Sequence, residues 1–239
     1  MAISTIDESQ RKAARVVGFT YLLTDATAIF AEFVVRSRLV VYNNAAKTAA
    51  NIMASERLFR LSVAGDLVGF ATDVVLIVAL YVILKTVNRN LALLAAFWRL
   101  IETFTEVVMT LSSFDVLRLL SGAACLRAFE VDRLQAMAML SIGAHDAGYE
   151  VAMFFFGLGS AVFSYLWLKS RYIPRALAAW GLVASLLAAA SPLGFAILPN
   201  FANIVEPWSY VPIAVFEIAL ALWLLVRGLR PPDQLSPIK

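Results

Sequence analysis

The chain has 239 residues, 61% of them hydrophobic and 15% charged, with a mean hydropathy of +0.79. A soluble domain is about 45–50% apolar and about 25% charged, so this composition excludes an ordinary soluble fold and predicts an all-α, polytopic membrane helix bundle. The net charge of +3 is small for a nucleic-acid binder and suits basic membrane anchors, and the lone cysteine, Cys125, excludes an intrachain disulfide.

Met1 to Gln10 is polar and acidic, unlike a cleavable signal peptide, so the first apolar segment is expected to remain as an anchor. Six spans are expected, over residues 16–35, 61–84, 91–111, 147–168, 176–198 and 210–226. No polar linker divides them, so residues 1–239 read as one integral-membrane domain. The first span carries Asp25 and Glu32, seven residues apart and so on one helix face. Arg36 and Arg38 close it. Asn43 to Arg60 reads as an interfacial helix with a Glu56–Arg60 pair at i,i+4. The second span holds Asp66 and Asp73, again on one face. Lys85, Asn88 and Arg89 turn the chain into the third.

The third span is the most informative. Arg99, Glu102 and Glu106 fall about 60° and 40° apart on a helix and form one narrow polar stripe. A charge at the bilayer centre costs about 2.5–3.5 kcal/mol on insertion scales, so compensation inside the protein is required. Residues 111–143 read as a mixed connection with an amphipathic helix. The fourth span starts near Glu150 and offers Gly157 and Ala161 for close packing. Pro174 suits the start of the fifth, Pro192 is expected to kink it, and it has no ionisable residue. The segment from Pro199 to Pro212 is proline-rich, with Trp208 and Tyr210 as interfacial anchors. The sixth span has Glu217 near its middle, and Arg227, Arg230 and two prolines end it.

With the N-terminus inside, Arg11, Lys12, Arg15, Lys85, Arg89, Lys169, Arg171, Arg175, Arg227, Arg230 and Lys239 fall on the cytoplasmic side, in short segments. This bias favours cytoplasmic N- and C-termini. At 1.5 Å per residue, Asp25, Asp73, Glu102 and Glu217 reach the midplane. Glu32, Asp66, Glu106 and Glu150 lie in the outer half, and Arg99 in the cytoplasmic half. So many acids against one arginine cannot all be ionised in a dry core; some must be protonated, hydrated or paired with a ligand. Arg99–Glu102 is the expected internal ion pair.

An acidic chamber is therefore expected, with Glu102, Glu106, Glu217 and Asp73 as candidate catalytic acids. Arg99, Asp25, Asp66 and Glu150 are candidate substrate-binding groups. For the acids near span ends, Glu32, Asp66 and Glu150, interhelical hydrogen bonding is the competing reading, which the spacing leaves open. No metal site is expected, because His145 and the distant Cys125 supply too few zinc donors. His145-Asp146 reads as a surface pair. No cofactor is expected: there is no mid-span lysine for a Schiff base, one histidine excludes bis-histidine haem, and no G-x-S-x-G, Walker A, G-x-G-x-x-G or H-E-x-x-H run occurs.

Several runs carry a family resemblance. They include Tyr21-Leu-Leu-Thr24, the segment from Thr48 to Arg60, Arg99-Leu-Ile-Glu102, Phe155-Phe-Gly-Leu-Gly159, Tyr165 to Arg175 and Glu217 to Gly228. Together they resemble the prokaryotic membrane-protein family called domain of unknown function 4386, most specifically in Ser170-Arg-Tyr-Ile-Pro-Arg175. The resemblance implies a multi-span helical fold in the bacterial inner membrane and no particular activity.

Three classes of function stay open. The first is a cofactor-free acid–base enzyme on a lipid-like or isoprenoid-like substrate, of cyclase or isomerase type. The second is a proton-coupled or cation transporter, although no inverted repeat is visible. The third is a non-catalytic structural or assembly protein. The expected partners are membrane lipids and an apolar small molecule, with no nucleic acid.

Overall fold

The structure is a computed structural model describing residues 6–197 and 208–230. Its regular elements are all helical: α1 (Glu8–Leu39), α2 (Ala45–Ala54), α3 (Glu56–Leu84), α4 (Arg89–Leu119), α5 (Val131–Ser170), α6 (Arg175–Ile197) and α7 (Val211–Val226). The expectations for 199–207, for the C-terminal prolines and for Lys239 lie outside the described residues.

Local chemistry sets the helix starts. Asp7 Oδ1 accepts the Gln10 N–H at 2.7 Å while Gln10 Oε1 accepts the Asp7 N–H at 3.1 Å, a reciprocal cap on α1. Asn44 caps α2 by accepting from Lys47, and Asn88 caps α4 by accepting from Leu91. Residues Phe30–Arg36 of α1 are wound as a π-helix.

Helices α1, α3, α5 and α6 are long and apolar enough to cross a membrane. The third expected span is the middle of α4, where Arg99, Glu102 and Glu106 interrupt the apolar run. The sixth is α7, whose 16 residues extend about 24 Å. Helices α1, α3, α4 and α5 overrun the expected spans. Ser55 separates α2 from α3, so Glu56–Arg60 opens the second long helix and does not extend an interfacial one. The Glu56–Arg60 pair forms at 2.7 Å on its exposed face. The mixed stretch after Leu111 divides between the end of α4 and the start of α5, joined through a short 3-10 turn at Ala124–Leu126. Pro174 precedes α6 and Pro192 lies inside it.

The chain forms two compact units. The first comprises Met1–Asp25, Thr72–Thr103 and Val151–Lys239; the second comprises Ala26–Ala71 and Phe104–Glu150. In the first, helices approach through glycine. A Cβ at Gly157 would stand 2.4 Å from the Ala189 backbone nitrogen, so α5 and α6 meet backbone to backbone. A polar clasp ties one end of this unit. Tyr172, fully buried, brings its hydroxyl to Thr86 at 3.4 Å and Gln10 at 3.5 Å, and its carbonyl accepts the Arg230 N–H at 2.8 Å. Gln10 also donates to the Ile83 carbonyl at 3.1 Å. Arg171 turns the chain there with φ 59°, and Ser170 Oγ accepts the Tyr172 N–H. The Ser-Arg-Tyr-Ile-Pro-Arg run thus fastens the start of α1, the end of α3 and the segment after α7 at one end of the unit.

The second unit has its own core. Val35, Leu39, Ile52, Phe59, Val116 and Ile142 pack between the end of α1, α2 and the adjoining halves of α3, α4 and α5.

Candidate functional site

Arg99 is the centre of the first unit's polar interior and is 2% exposed. It has room because its neighbour on α5 is Gly159: a Cβ there would stand 2.7 Å from Arg99 Cγ. The guanidinium lies over the Phe156 ring, 4.2 Å from its centroid, a contact that is strongest where water is excluded. Two carboxylates flank it. Asp73 Oδ1 of α3 is 3.7 Å from Arg99 Nη2, and Glu102 Oε1 of α4 is 3.4 Å from Nη1. Both acids are buried.

Asp25 of α1 and Glu217 of α7 complete the cluster. Glu217 is within electrostatic reach of Asp25, Asp73, Arg99 and Glu102. The buried Tyr21, one turn before Asp25, is within reach of Glu217, Arg99, Asp25 and Asp73. Four helices therefore direct four carboxylates and a phenol toward one guanidinium. Hydrogen bonding is incomplete. Arg99 Nε and Nη1, Asp73 Oδ1, Glu102 Oε2 and Asp25 Oδ2 are buried without a hydrogen-bond partner among the described residues. Unmet buried polar atoms are costly and cluster where a protein handles ligands or protons.

Of the residues expected at the site, Asp25, Asp73, Arg99, Glu102 and Glu217 come together here. Glu106, Asp66 and Glu150 belong to the second unit. There Asp66 Oδ2 accepts from Arg36 Nη2 at 2.7 Å, and Arg36 also pairs with Glu32. Arg36 thus does more than close the first span: it is buried and holds two acids. His145 is likewise buried rather than a surface residue, with its Nδ1 3.7 Å from Asp146. Tyr21 and Arg36 were missed as site residues. The i,i+4 spacing of Glu32 and Arg36 was the available signal for the second.

An all-helical membrane protein with a charged cluster buried among its helices is the class this geometry defines. Within that class the chain belongs to the family described as Domain of unknown function (DUF4386), whose model matches residues 16–228. No curated protein and no solved structure matches the chain.

Proposed function

We propose that the Arg99 cluster is an intramembrane acid–base site acting on a lipid-like or isoprenoid-like substrate. One observation carries this reading: Arg99 is buried, lies within electrostatic reach of four carboxylates, two of them as ion pairs, and leaves two of its nitrogens without hydrogen-bond partners among the described residues. A purely structural buried ion pair repays its desolvation through close, well-satisfied hydrogen bonds. The contacts here, at 3.4 and 3.7 Å, are loose.

Two kinds of acid are present, which is the arrangement proton-transfer chemistry uses. Asp73 and Glu102 share the cation and act as the charged bases. Glu217 and Asp25 make no ion pair with Arg99, and Glu217 serves as the proton donor. In an isomerisation Glu217 gives a proton to one carbon of a substrate double bond. Glu102 or Asp73 removes a proton from the carbon bonded to the resulting cationic centre, so the substrate neither gains nor loses hydrogen, and that proton returns to Glu217 within the cluster to reset the site. The chemistry needs no cofactor.

The six-span topology with cytoplasmic termini in a bacterial inner membrane belongs to the same proposal. Its support is the Tyr172 clasp, which gathers the start of α1, the end of α3 and the segment after α7 at one end of the first unit. Arg11, Lys12, Lys85, Arg171 and Arg230 are close in sequence to these points, and basic residues favour the cytoplasmic side.

The test is to express the wild type, Glu217→Gln and Glu102→Gln in cells and compare lipid extracts by mass spectrometry. The proposal expects one apolar species to fall and its isomer to rise in both variants at equal protein level. It fails if the profiles are unchanged. A transporter would instead show proton-dependent uptake in proteoliposomes without any change in lipid structure.

A further inference from the structure

The Tyr172 clasp holds one arginine in place without an acid. The Trp223 carbonyl ends α7 by accepting the Arg227 N–H at 2.8 Å and the Gly228 N–H at 3.2 Å, and Gly228 turns the chain with φ 67°, a left-handed stop that glycine makes without strain. The chain then folds back. The Arg230 N–H bonds the Tyr172 carbonyl at 2.8 Å, and the Arg230 guanidinium lies over the Trp223 ring, 4.7 Å from its centroid. Backbone and side chain are both fixed, yet the guanidinium makes no hydrogen bond or ion pair among the described residues. We infer that Arg230, with Arg171 and Arg227 beside it, binds the phosphate of an anionic phospholipid whose acyl chains lie along Leu222, Leu225 and Val226 of α7.

Charge selects an anion. Arg36, Arg60 and Arg99 are each paired with a carboxylate. Arg171, Arg227 and Arg230 have no such partner among the described residues, and all three reach the surface. Within three residues of Gln10, Thr86, Tyr172 and Arg230 the sequence carries nine basic side chains against three acids, Asp7, Glu8 and Asp233, and Glu8 is already held by Lys12. Such an excess of one sign attracts anionic headgroups. A guanidinium stacked on a ring keeps its planar fork free for bidentate bonds to phosphate. Holding it there in advance lowers the ordering cost of binding.

The apolar surroundings select a lipid over a free phosphate. Leu222, Leu225 and Val226 are exposed on the last turns of α7, at i, i+3 and i+4 spacing and so on one face. A phosphate carrying hydrocarbon meets this face and the arginines together, whereas inorganic phosphate meets only the arginines. Trp223 has the amphipathic ring that suits such a boundary, and its Nε1–H lacks an acceptor among the described residues. The backbone adds a third sign. Arg171, directly before Tyr172, takes φ 59°, a conformation glycine would adopt without strain. A charged side chain kept at a strained position, unpaired and partly exposed, points to a ligand for that side chain.

The test uses the full chain in detergent, with native mass spectrometry counting bound lipid at equal concentrations of dioleoyl phosphatidylglycerol and dioleoyl phosphatidylcholine. The two share their chains and differ in net charge. The wild type should retain phosphatidylglycerol over phosphatidylcholine by about fivefold or more. Arg230→Gln should cut that ratio at least about threefold. The variant keeps the backbone N–H that bonds Tyr172 and is exposed, so it should fold, which a matching unfolding midpoint verifies. Lys12→Gln removes the same charge near the same clasp, but from a residue paired with Glu8, and should leave the ratio near wild type. Arg171→Gly separates binding from folding: it should not lower the lipid-free unfolding midpoint, because the turn becomes strain-free, yet it should lower the ratio. Equal retention of the two lipids, an unchanged ratio in Arg230→Gln, an equal loss in Lys12→Gln, or no loss in Arg171→Gly would each overturn the inference. Glycerol phosphate, a headgroup without chains, checks the source. At the same concentration it should not displace phosphatidylglycerol, and displacement would overturn the lipid assignment in favour of a free phosphate. The site makes no use of the Arg99 cluster, so either proposal can fail without the other.

Discussion

Arg99 Nη1 stands 3.4 Å from Glu102 Oε1, three residues along the same helix, in an ion pair that closes no hydrogen bond through Nη1. Asp73 faces the same guanidinium from α3 at 3.7 Å. The cation is thus shared rather than owned, and its removal strands several buried acids at once.

Removing the guanidinium should therefore be severe, and removing an acid with it should be less so. Breaking a buried pair from one side costs about 3–5 kcal/mol, whereas an apolar replacement of both sides is often tolerated. Arg99→Leu is expected to lower the unfolding midpoint strongly, and Arg99→Leu with Glu102→Leu to recover part of the loss. Thermal unfolding in detergent, arranged as a double-mutant cycle, measures the coupling. A stable Arg99→Leu single variant would show that the cluster is not held by this charge.

The glycines of α5 should differ in tolerance, for a reason visible in their neighbours. A methyl at Gly157 meets the Ala189 backbone at 2.4 Å, and backbone cannot turn aside. A methyl at Gly159 meets the Arg99 side chain at 2.7 Å and the Ala95 carbonyl at 3.0 Å. Gly157→Ala is expected to cost about 1–3 kcal/mol by overpacking. Gly159→Ala should be milder for folding but should displace Arg99 and impair the site. Gly143→Ala, with open space around it, is the control. Unfolding midpoints and the lipid-profile assay separate the two effects.

The topology can be read with cysteine labelling after Cys125→Ser, which removes the lone native thiol. Lys12→Cys, Asn88→Cys and Arg171→Cys should react with an impermeant maleimide only in inside-out vesicles. Labelling of any one of them in right-side-out vesicles contradicts the shared cytoplasmic end that the Tyr172 clasp supports.

The sequence made the polar interior legible and left the helix ends obscure. Arg99, Glu102, Asp73, Asp25 and Glu217 stand out because each interrupts an apolar run, and insertion cost alone makes such positions informative. Hydropathy locates only the lipid-facing depth of a helix. It therefore missed that α3 starts at Glu56 and α5 at Val131, where exposed polar residues cost nothing. Arg36 shows a different limit. A basic residue after an apolar run reads as an anchor, yet its partner Asp66 lies 30 positions away on another helix. His145 was misread similarly, because a lone histidine beside an aspartate carries no sign of burial. Tyr21 belonged to a recognised run, but its approach to Glu217 depends on how α1 and α7 pack.

The most direct measurement of the central claim is mass spectrometry of what co-purifies with the protein, comparing wild type with Glu217→Gln at equal yield and matched unfolding midpoint. An active acid–base site predicts a defined unsaturated apolar molecule in the wild type, held at near-stoichiometric level and lost or isomer-shifted in the variant. Bulk membrane lipid in identical proportions from both proteins would contradict it.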